Sequence, residues 1–221
     1  MIVAIAGQGG AAASTVVAQN LALLRARAGR RVLLLDSDPQ QPAAQWARQR
    51  YDSGLKPNIL AETIPGGHLG VRLEALQRRC HDIVIHTQGS DTPASRAALI
   101  AARTVVVPVT AGQVDLDSQY QLVARLNSAR MFNPALRVLF VIMGGCADPS
   151  GAEMAAVRNF VAHVMSASLA GTVIHTRASA GVDCVDGLCA CEAPERDARA
   201  VAEMKGLYRE VFVVSTLTIA A

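Results

Sequence analysis

The chain of 221 residues contains very little lysine and no long hydrophobic run. Its only lysines are Lys56 and Lys205, so almost all of the positive charge is arginine, and the net charge is +3. The apolar runs are interrupted well short of the roughly 20 residues that a membrane-spanning helix requires, and no basic segment precedes the first run. We therefore expect a cytoplasmic protein without membrane contact.

Aromatic residues are also scarce, at 4% of the sequence, whereas hydrophobic residues make up 51%. The core must then consist mainly of Ala, Val, Leu and Ile, which suits helices packed on a buried parallel sheet. Five cysteines, an odd number in a chain without a secretion signal, indicate reduced thiols. Cys184, Cys189 and Cys191 lie close together, but their spacing is not that of a paired zinc motif. Thiols that face the core or a pocket are favoured over a metal site.

Apolar runs alternate with helical patterns along the whole chain, which predicts a repeated strand–helix unit. Runs that are apolar on both faces belong to parallel sheets covered by helices on each side. We therefore predict an α/β fold with a doubly wound, mostly parallel sheet. Residues 1–213 are expected to form one domain, and 214–221 a docked or frayed tail rather than a membrane-lying helix. The predicted strands are 2–6, 31–36, 82–87, 104–109, 136–143 and 171–176, with a weak strand among the loops between about 51 and 70. The predicted helices are 14–28, 41–50, 69–79, 93–102, 115–129, 150–166 and 194–212.

The stretch GQGGAAAST, residues 7–15, lies between the first predicted strand and helix, where α/β proteins place a phosphate-binding loop. In a loop of the form GxxxxGK[ST], backbone N–H groups surround the phosphates, the lysine meets the β- and γ-phosphates, and the hydroxyl holds Mg²⁺. Ala12 and Ala13 stand at the glycine and lysine positions here. Because the helix N-terminus and the backbone N–H groups remain, anion binding is weakened but not excluded.

A second stretch, LLLDSDPQ, ends a predicted strand with two carboxylates, Asp36 and Asp38. Binding sites of open α/β sheets lie at the carboxyl ends of the strands, which places these acids beside the first loop. Asp-Ser-Asp-Pro is also a good turn sequence. From these residues alone, a binding site and a simple turn are about equally supported as interpretations of this stretch.

A third stretch, residues 81–118, completes a pattern that resembles the ParA/MinD family of P-loop ATPases, and within it the ParA-type partition proteins. The family motifs KGGxGK[ST]T, LLDxDPQ, DxVIIDTxG and VVVPVxPSxxDL correspond here to QGGAAAST, LLLDSDPQ, DIVIHTQGS and VVVPVTAGQVDL. The resemblance continues through NPALRVLFVI and EMKGLYREVF, so it covers nearly the whole chain. It implies a P-loop NTPase fold of the SIMIBI type. Cobyrinic acid diamide synthases share this architecture but match less well, because the DPQ element is typical of ParA.

The resemblance also implies which residues form the site. Asp36 and Asp38 would act in hydrolysis, through magnesium coordination and water activation, and Ser14 with Asp36 would hold the metal. ATP and Mg²⁺ are the implied cofactors. The implied nucleotide-binding residues are Gly9, Gly10, Ala11, Ala12, Ala13, Ser14 and Thr15.

Several residues depart from the family pattern, among them Ala12 at the loop glycine and Met143 at the end of its strand, and this leaves open whether the protein is an ATPase. Three departures concern charged groups. Gln8 replaces the signature lysine that reaches across the dimer, Ala13 replaces the loop lysine, and His86 replaces the Walker B aspartate. Each charged hydrogen bond to phosphate contributes about 1.5–3 kcal/mol, so loss of two lysines weakens ATP binding on the order of hundreds-fold or more. We interpret His86 as a packed or hydrogen-bonded side chain rather than a replacement base or metal ligand. The sequence alone does not separate natural from introduced alanines.

The implied partners are non-specific nucleoid DNA, a ParB-like centromere-binding or adaptor protein, and a second copy in a nucleotide-linked homodimer. A pI of about 8.7 permits contact with DNA without requiring it. Two hypotheses follow: a ParA-like partition or cargo-positioning protein with impaired ATP hydrolysis, or a nucleotide-independent pseudo-ATPase that binds protein or DNA. Candidate DNA contacts, as an alternative to a merely solvated surface, are Arg25, Arg27, Arg30, Arg31, Arg78, Arg79, Arg196, Arg199 and Arg209.

Overall fold

The computed structural model describes most of the chain, with gaps around the first loop and near the C-terminal end. The described residues are 1–7, 11–64, 68–113, 116–145, 147–175, 186–192 and 197–213, and for residues 11, 113 and 116–119 only the backbone is described. Gln8, Gly9 and Gly10 therefore lie outside the described residues, as do Cys184, Arg196 and the predicted tail.

Strands and helices alternate in the described residues, as the sequence pattern predicts. Seven strands form one parallel sheet in the order β3-β2-β4-β1-β5-β6-β7, which confirms the doubly wound architecture. None of the helices in the described ranges combines the length and apolar character needed to cross a membrane. The strands are β1 Ile2–Ile5, β2 Val32–Asp36, β3 Leu60–Thr63, β4 Asp82–His86, β5 Thr104–Thr110, β6 Arg137–Gly144 and β7 Ala167–His175. The helices are α1 Ala11–Arg27, α2 Pro42–Asp52, α3 Leu69–Gln77, α4 Pro93–Ala101, α5 Leu116–Phe132, α6 Gly151–Ala162 and α7 Ala198–Phe212.

The buried residues form two cores, one on each face of the sheet. Helices α1, α2 and α7 cover one face, and α3, α4, α5 and α6 cover the other. Successive residues of a strand point to opposite faces, so in β4 Val84 belongs to the α1 face while Ile83 and Ile85 belong to the other. By the same alternation, the last residues of β2 and β4 point toward α1.

The sequence pattern located the elements better than it located their ends. The weak strand is present as β3, at the sheet edge beside β2. Helix α6 was predicted to continue to Ser166 but ends at Ala162, and β7 begins at Ala167, four residues before the predicted start. Ser166 adopts a φ of 52°, in the left-handed region, and this turn separates helix from strand.

A buried ion pair attaches the segment 186–192 to α2. Arg50 is fully buried and donates two hydrogen bonds to the Glu192 carboxylate, at 2.6 and 2.9 Å, and one to the Gly187 carbonyl at 3.0 Å. Gly187 has a φ of 78°, and a Cβ there would approach the Arg50 backbone to 2.5 Å. Only glycine allows this approach, so the segment and the helix are closely fitted.

We predict that Glu192→Ala destabilises the protein by about 3–5 kcal/mol, because it leaves the Arg50 charge buried without its partner. Urea denaturation measures the change in free energy of unfolding. Glu74→Ala is the matched control, since it removes an exposed pair with Arg78 whose side chains are 80% and 78% exposed. Such surface pairs contribute about 0–1 kcal/mol, so equal effects of the two substitutions would contradict the prediction.

A second buried carboxylate, Asp82, lies at the start of β4. Arg25 and Arg30 donate to its Oδ2 at 2.9 and 3.1 Å, and the Met1 amino group lies 3.2 Å from Oδ1. Burial by itself would raise the pKa of the Asp82 carboxyl, but the hydrogen bonds from Arg25 and Arg30 outweigh burial and hold this pKa below its ordinary value.

The lowered pKa gives Asp82 a defined pH dependence. A carboxyl group whose pKa is lower in the folded protein than in the unfolded chain stabilises the folded state. This stabilisation is complete above the unfolded-state pKa, near 3.9, and is lost as the pH falls through the lower pKa of the folded state. We predict that Asp82→Asn costs about 1–3 kcal/mol at neutral pH and that the difference from the parent shrinks below about pH 4. Urea titrations between pH 3 and 7 test this, and a difference that is constant over that range contradicts it.

Candidate functional site

The loop after β1 leads into α1, a helix of 17 residues whose first turn contains no acidic residue. Ala11 is its first residue, Ala12 is exposed, and Ala13 is half-buried against the core of the α1 face. Ser14 and Thr15 follow with buried side chains, 3% and 8% exposed. The helix N-terminus is thus the part of the predicted loop that the structure describes, with no side-chain cation at position 13.

His86 joins α1 to the neighbouring strand β2. As the last residue of β4, it pairs in register with Ile5 on one side and Asp36 on the other. Its ring is fully buried, with Nε2 3.3 Å from Ser14 Oγ and 3.1 Å from Thr15 Oγ1, and Nδ1 3.1 Å from Asp36 Oδ1. His86 is therefore hydrogen-bonded at both ring nitrogens, as the sequence analysis expects of a packed or hydrogen-bonded side chain.

The Asp36 carboxylate accepts hydrogen bonds on both oxygens. Besides His86, the backbone N–H of Asp38 donates to Oδ1 at 3.1 Å, and those of Ala43 and Ala44 donate to Oδ2 at 2.8 and 2.9 Å. The side chain of Gln41, the N-cap residue of α2, does not cap the helix. Asp36, at the end of β2, instead accepts hydrogen bonds from the first backbone N–H groups of α2.

The hydrogen bonds also explain the charge state of Asp36. Burial would raise the pKa of its carboxyl, but the hydrogen bond and charge of His86, with the backbone donors, hold it below its ordinary value. Since an ionised carboxylate only accepts, the proton between the two groups lies on Nδ1 of His86.

Asp38 lies in the loop after β2 and is also buried, at 5% exposure. Its Oδ1 accepts from the Gln40 backbone N–H at 2.8 Å, so Asp38 forms the local turn that Asp-Ser-Asp-Pro favours. The two interpretations of this stretch are therefore compatible: the acids lie at the carboxyl end of the sheet, and both hold turns or helix ends there.

A hydroxyl, the His86 imidazole and the Asp36 carboxylate are linked by hydrogen bonds in the same order as the catalytic triad of serine hydrolases. Neither hydroxyl is placed to act as a nucleophile, however, because Ser14 and Thr15 are both buried and share the same ring nitrogen. We interpret the series as a structural network rather than a hydrolytic triad.

The residues implied as metal ligands do not fit a divalent cation. Mg²⁺ requires oxygen ligands at about 2.0–2.1 Å in octahedral geometry. Here the hydroxyl of Ser14 and the carboxylate of Asp36 both contact the ring of His86, and the remaining Asp36 contacts are backbone donors. No group of three or more metal-binding side chains occurs elsewhere among the described residues.

A cavity of about 310 Å³ lies next to the network, between the ends of β2 and β3 and the start of α4. Asp36 and Asp38 line it, but most of its other residues were not predicted from the sequence. Ser37, Pro39 and Gln88 lie within the quoted motifs LLLDSDPQ and DIVIHTQGS, so the motifs themselves were the signal that could have indicated them. These additional lining residues are Ser37, Pro39, Gln41, Thr63, Ile64, Gln88, Thr92, Pro93 and Ala94.

Most of the other predicted groups that the structure describes have structural partners. Cys189 and Cys191 are buried, with Arg27 3.3 Å from the Cys191 sulfur, and burial raises the pKa of that thiol. Arg31 and Arg209 are exposed and form no ion pair within the described residues. Six of the nine candidate arginines pair with acids: Arg25, Arg27, Arg30, Arg78, Arg79 and Arg199.

Comparison with known proteins decides the family. Residues 3–180 match the CobQ/CobB/MinD/ParA nucleotide binding domain. The chain belongs to this family. Among curated relatives of the CobQ/CobB/MinD/ParA family, it is 32% identical over 169 residues to the chromosome-partitioning ATPase Soj of Thermus thermophilus, across 64% of this chain and 68% of Soj.

Solved members of the CobQ/CobB/MinD/ParA family share the fold. A plasmid partition protein from Borrelia burgdorferi superposes with a TM-score of 0.67 at 16% identity, covering 97% of this chain and 98% of that one. The septum site-determining protein MinD from Pyrococcus horikoshii, solved with Mg-ADP, gives 0.67 at 15% identity, covering 98% and 97%. At these identities, the likeness shows the fold alone.

The Asp36 network predicts unequal effects of two similar substitutions. Asp36→Asn places an amide NH₂ against backbone donors, so we expect a loss of about 1–3 kcal/mol in the free energy of unfolding. Asp38→Asn keeps an oxygen for the Gln40 N–H and should cost less than about 0.5–1 kcal/mol. Chemical denaturation of both variants tests this, and a larger cost for Asp38→Asn would contradict the assignment of Asp36 as the central acceptor.

Proposed function

We propose that this protein is a ParA-like partition or cargo-positioning protein whose nucleotide site supports little or no ATP hydrolysis. The identity with Soj and the match to the family over residues 3–180 support the partition role. The observation that carries the impaired hydrolysis is the position of His86, which is hydrogen-bonded to Ser14 and Asp36, the two residues that the family pattern assigns to the metal.

The loop weakens the site independently of His86. Phosphoryl transfer depends mainly on positioning and on cations that neutralise charge in the transition state. Ala13 offers no cation at the position where the family has its loop lysine, and the sequence also has Gln8 at the signature lysine position. ATP binding is therefore proposed to be weak, with residues 9–15 as the phosphate-binding segment, and Asp36 and Asp38 beside the phosphates.

The partners proposed are those of a partition protein: nucleoid DNA, a ParB-like or adaptor protein, and a second copy of the chain. The location proposed with these partners is the cytoplasm, on the nucleoid. For DNA contact, Arg31 and Arg209 are the first candidates, since they are exposed and are not engaged by acids of the described residues.

A specific observation favours a second candidate, the nucleotide-independent pseudo-ATPase. Asp36 caps α2 and holds His86, so it has a structural role that does not require nucleotide. A pseudo-ATPase of this kind would bind DNA or protein whether or not ATP is present.

Calorimetry and DNA binding together test the proposal. We expect weak or undetectable Mg-ATP binding by the protein and binding at least about a hundredfold tighter by the double variant Ala12→Gly, Ala13→Lys, which restores the loop lysine. Robust magnesium-dependent turnover by the unaltered protein contradicts impaired hydrolysis. DNA binding that strengthens with ATP supports the first form and DNA binding indifferent to ATP supports the second, whereas absence of DNA binding at low salt contradicts both as DNA partition proteins.

A further inference from the structure

The fully buried ring of His86 occupies the space between the side chains that the family pattern assigns to the metal. Its two nitrogens lie 3.3 Å from Ser14 Oγ and 3.1 Å from Asp36 Oδ1. Two oxygens that share one Mg²⁺ must both come within about 2.1 Å of it. A ring with a hydrogen bond at each end keeps these oxygens apart, so the two oxygens cannot both coordinate one ion while the ring lies between them.

The backbone of His86 is held on several sides. Residue 86 pairs with Ile5 and Asp36 in the middle of the sheet, and the backbone N–H and hydroxyl of Ser37 both donate to the His86 carbonyl at 3.0 Å. Rotation of the ring away from this position would remove its hydrogen bonds to Asp36, Ser14 and Thr15 in a region without solvent. The ring is therefore a fixed part of the site.

The loop substitutions act at a different place. Ala12 is exposed and Ala13 faces the core of the α1 face, whereas His86 contacts the next two residues of α1 from the strand below. Restoring a lysine at position 13 changes the charge near the phosphates but leaves the ring in place. The missing lysine at position 13 and the histidine at position 86 can therefore be tested by separate substitutions.

We propose that His86 takes the place of the divalent cation and by itself excludes metal from this site, whether or not the loop carries a lysine. The proposal rests on the proposed function in treating the site as a nucleotide site. The further proposal names His86 as the residue that decides whether nucleotide binding depends on metal. With His86 present, a nucleoside diphosphate binds no more tightly with Mg²⁺ than without it.

The test compares the protein, the double variant Ala12→Gly, Ala13→Lys, and the triple variant that also carries His86→Asp. ADP affinity is measured by calorimetry in Mg²⁺ and in EDTA, and protein-bound Mn²⁺ is measured by electron paramagnetic resonance with ADP present. For the double variant, we expect an ADP affinity in Mg²⁺ that is no higher than the affinity in EDTA, and no bound Mn²⁺. For the triple variant, we expect affinity at least about tenfold higher in Mg²⁺ and one bound Mn²⁺.

Two results overturn the proposal alone: magnesium-dependent ADP binding by the double variant, or a folded triple variant that binds ADP without Mn²⁺. ADP binding by neither variant contradicts the proposed nucleotide site itself. Because two adjacent carboxylates at positions 36 and 86 repel each other without metal, a second triple variant carries His86→Asn in place of His86→Asp. The uncharged variant removes the ring, so it must bind more Mn²⁺ than the double variant if the ring is the obstacle.

Discussion

The site depends on the hydrogen bonds that the buried carboxylate of Asp36 accepts. One oxygen accepts from the first N–H groups of α2, and the other accepts from His86, whose ring contacts Ser14 and Thr15 of α1. Two helices and two strands are thereby joined through a single ionised group. An unpaired charge in this position would be costly, so the sequence must supply donors on every side, and it does so with backbone N–H groups and one imidazole.

This network gives Asp36 and Asp38 structural roles that do not depend on a nucleotide. Residue 13 is alanine and β4 ends in His86, yet the DSDPQ element is complete. Asp36 and Asp38 hold the end of β2, a turn and the start of α2, and these tasks remain whether or not a nucleotide is bound. An intact DSDPQ therefore does not by itself indicate an active ATPase.

Alternation along the chain made the fold predictable. Strands that are apolar on both faces, separated by helical patterns, correspond to a parallel sheet with a core on each side, and this arrangement is found. The ends of elements were less predictable, as at α6 and β7, because Ser166 turns the chain with a left-handed conformation that no local glycine announces. The pairing of Arg50 with Glu192 was also not predictable, since 142 positions of sequence separate them.

The sequence by itself determined the family, the order of the strands along the chain, and the absence of a cation at position 13, because these depend on residue identity and spacing. Only the tertiary structure decided what His86 does. Its role depends on the register that places β4 between β1 and β2, and on the two-residue period that turns residues 36 and 86 toward α1. Whether a buried imidazole is only packed in a core or is hydrogen-bonded at both nitrogens depends on its neighbours, and those neighbours come from α1 and from the end of β2, both far from residue 86 in sequence.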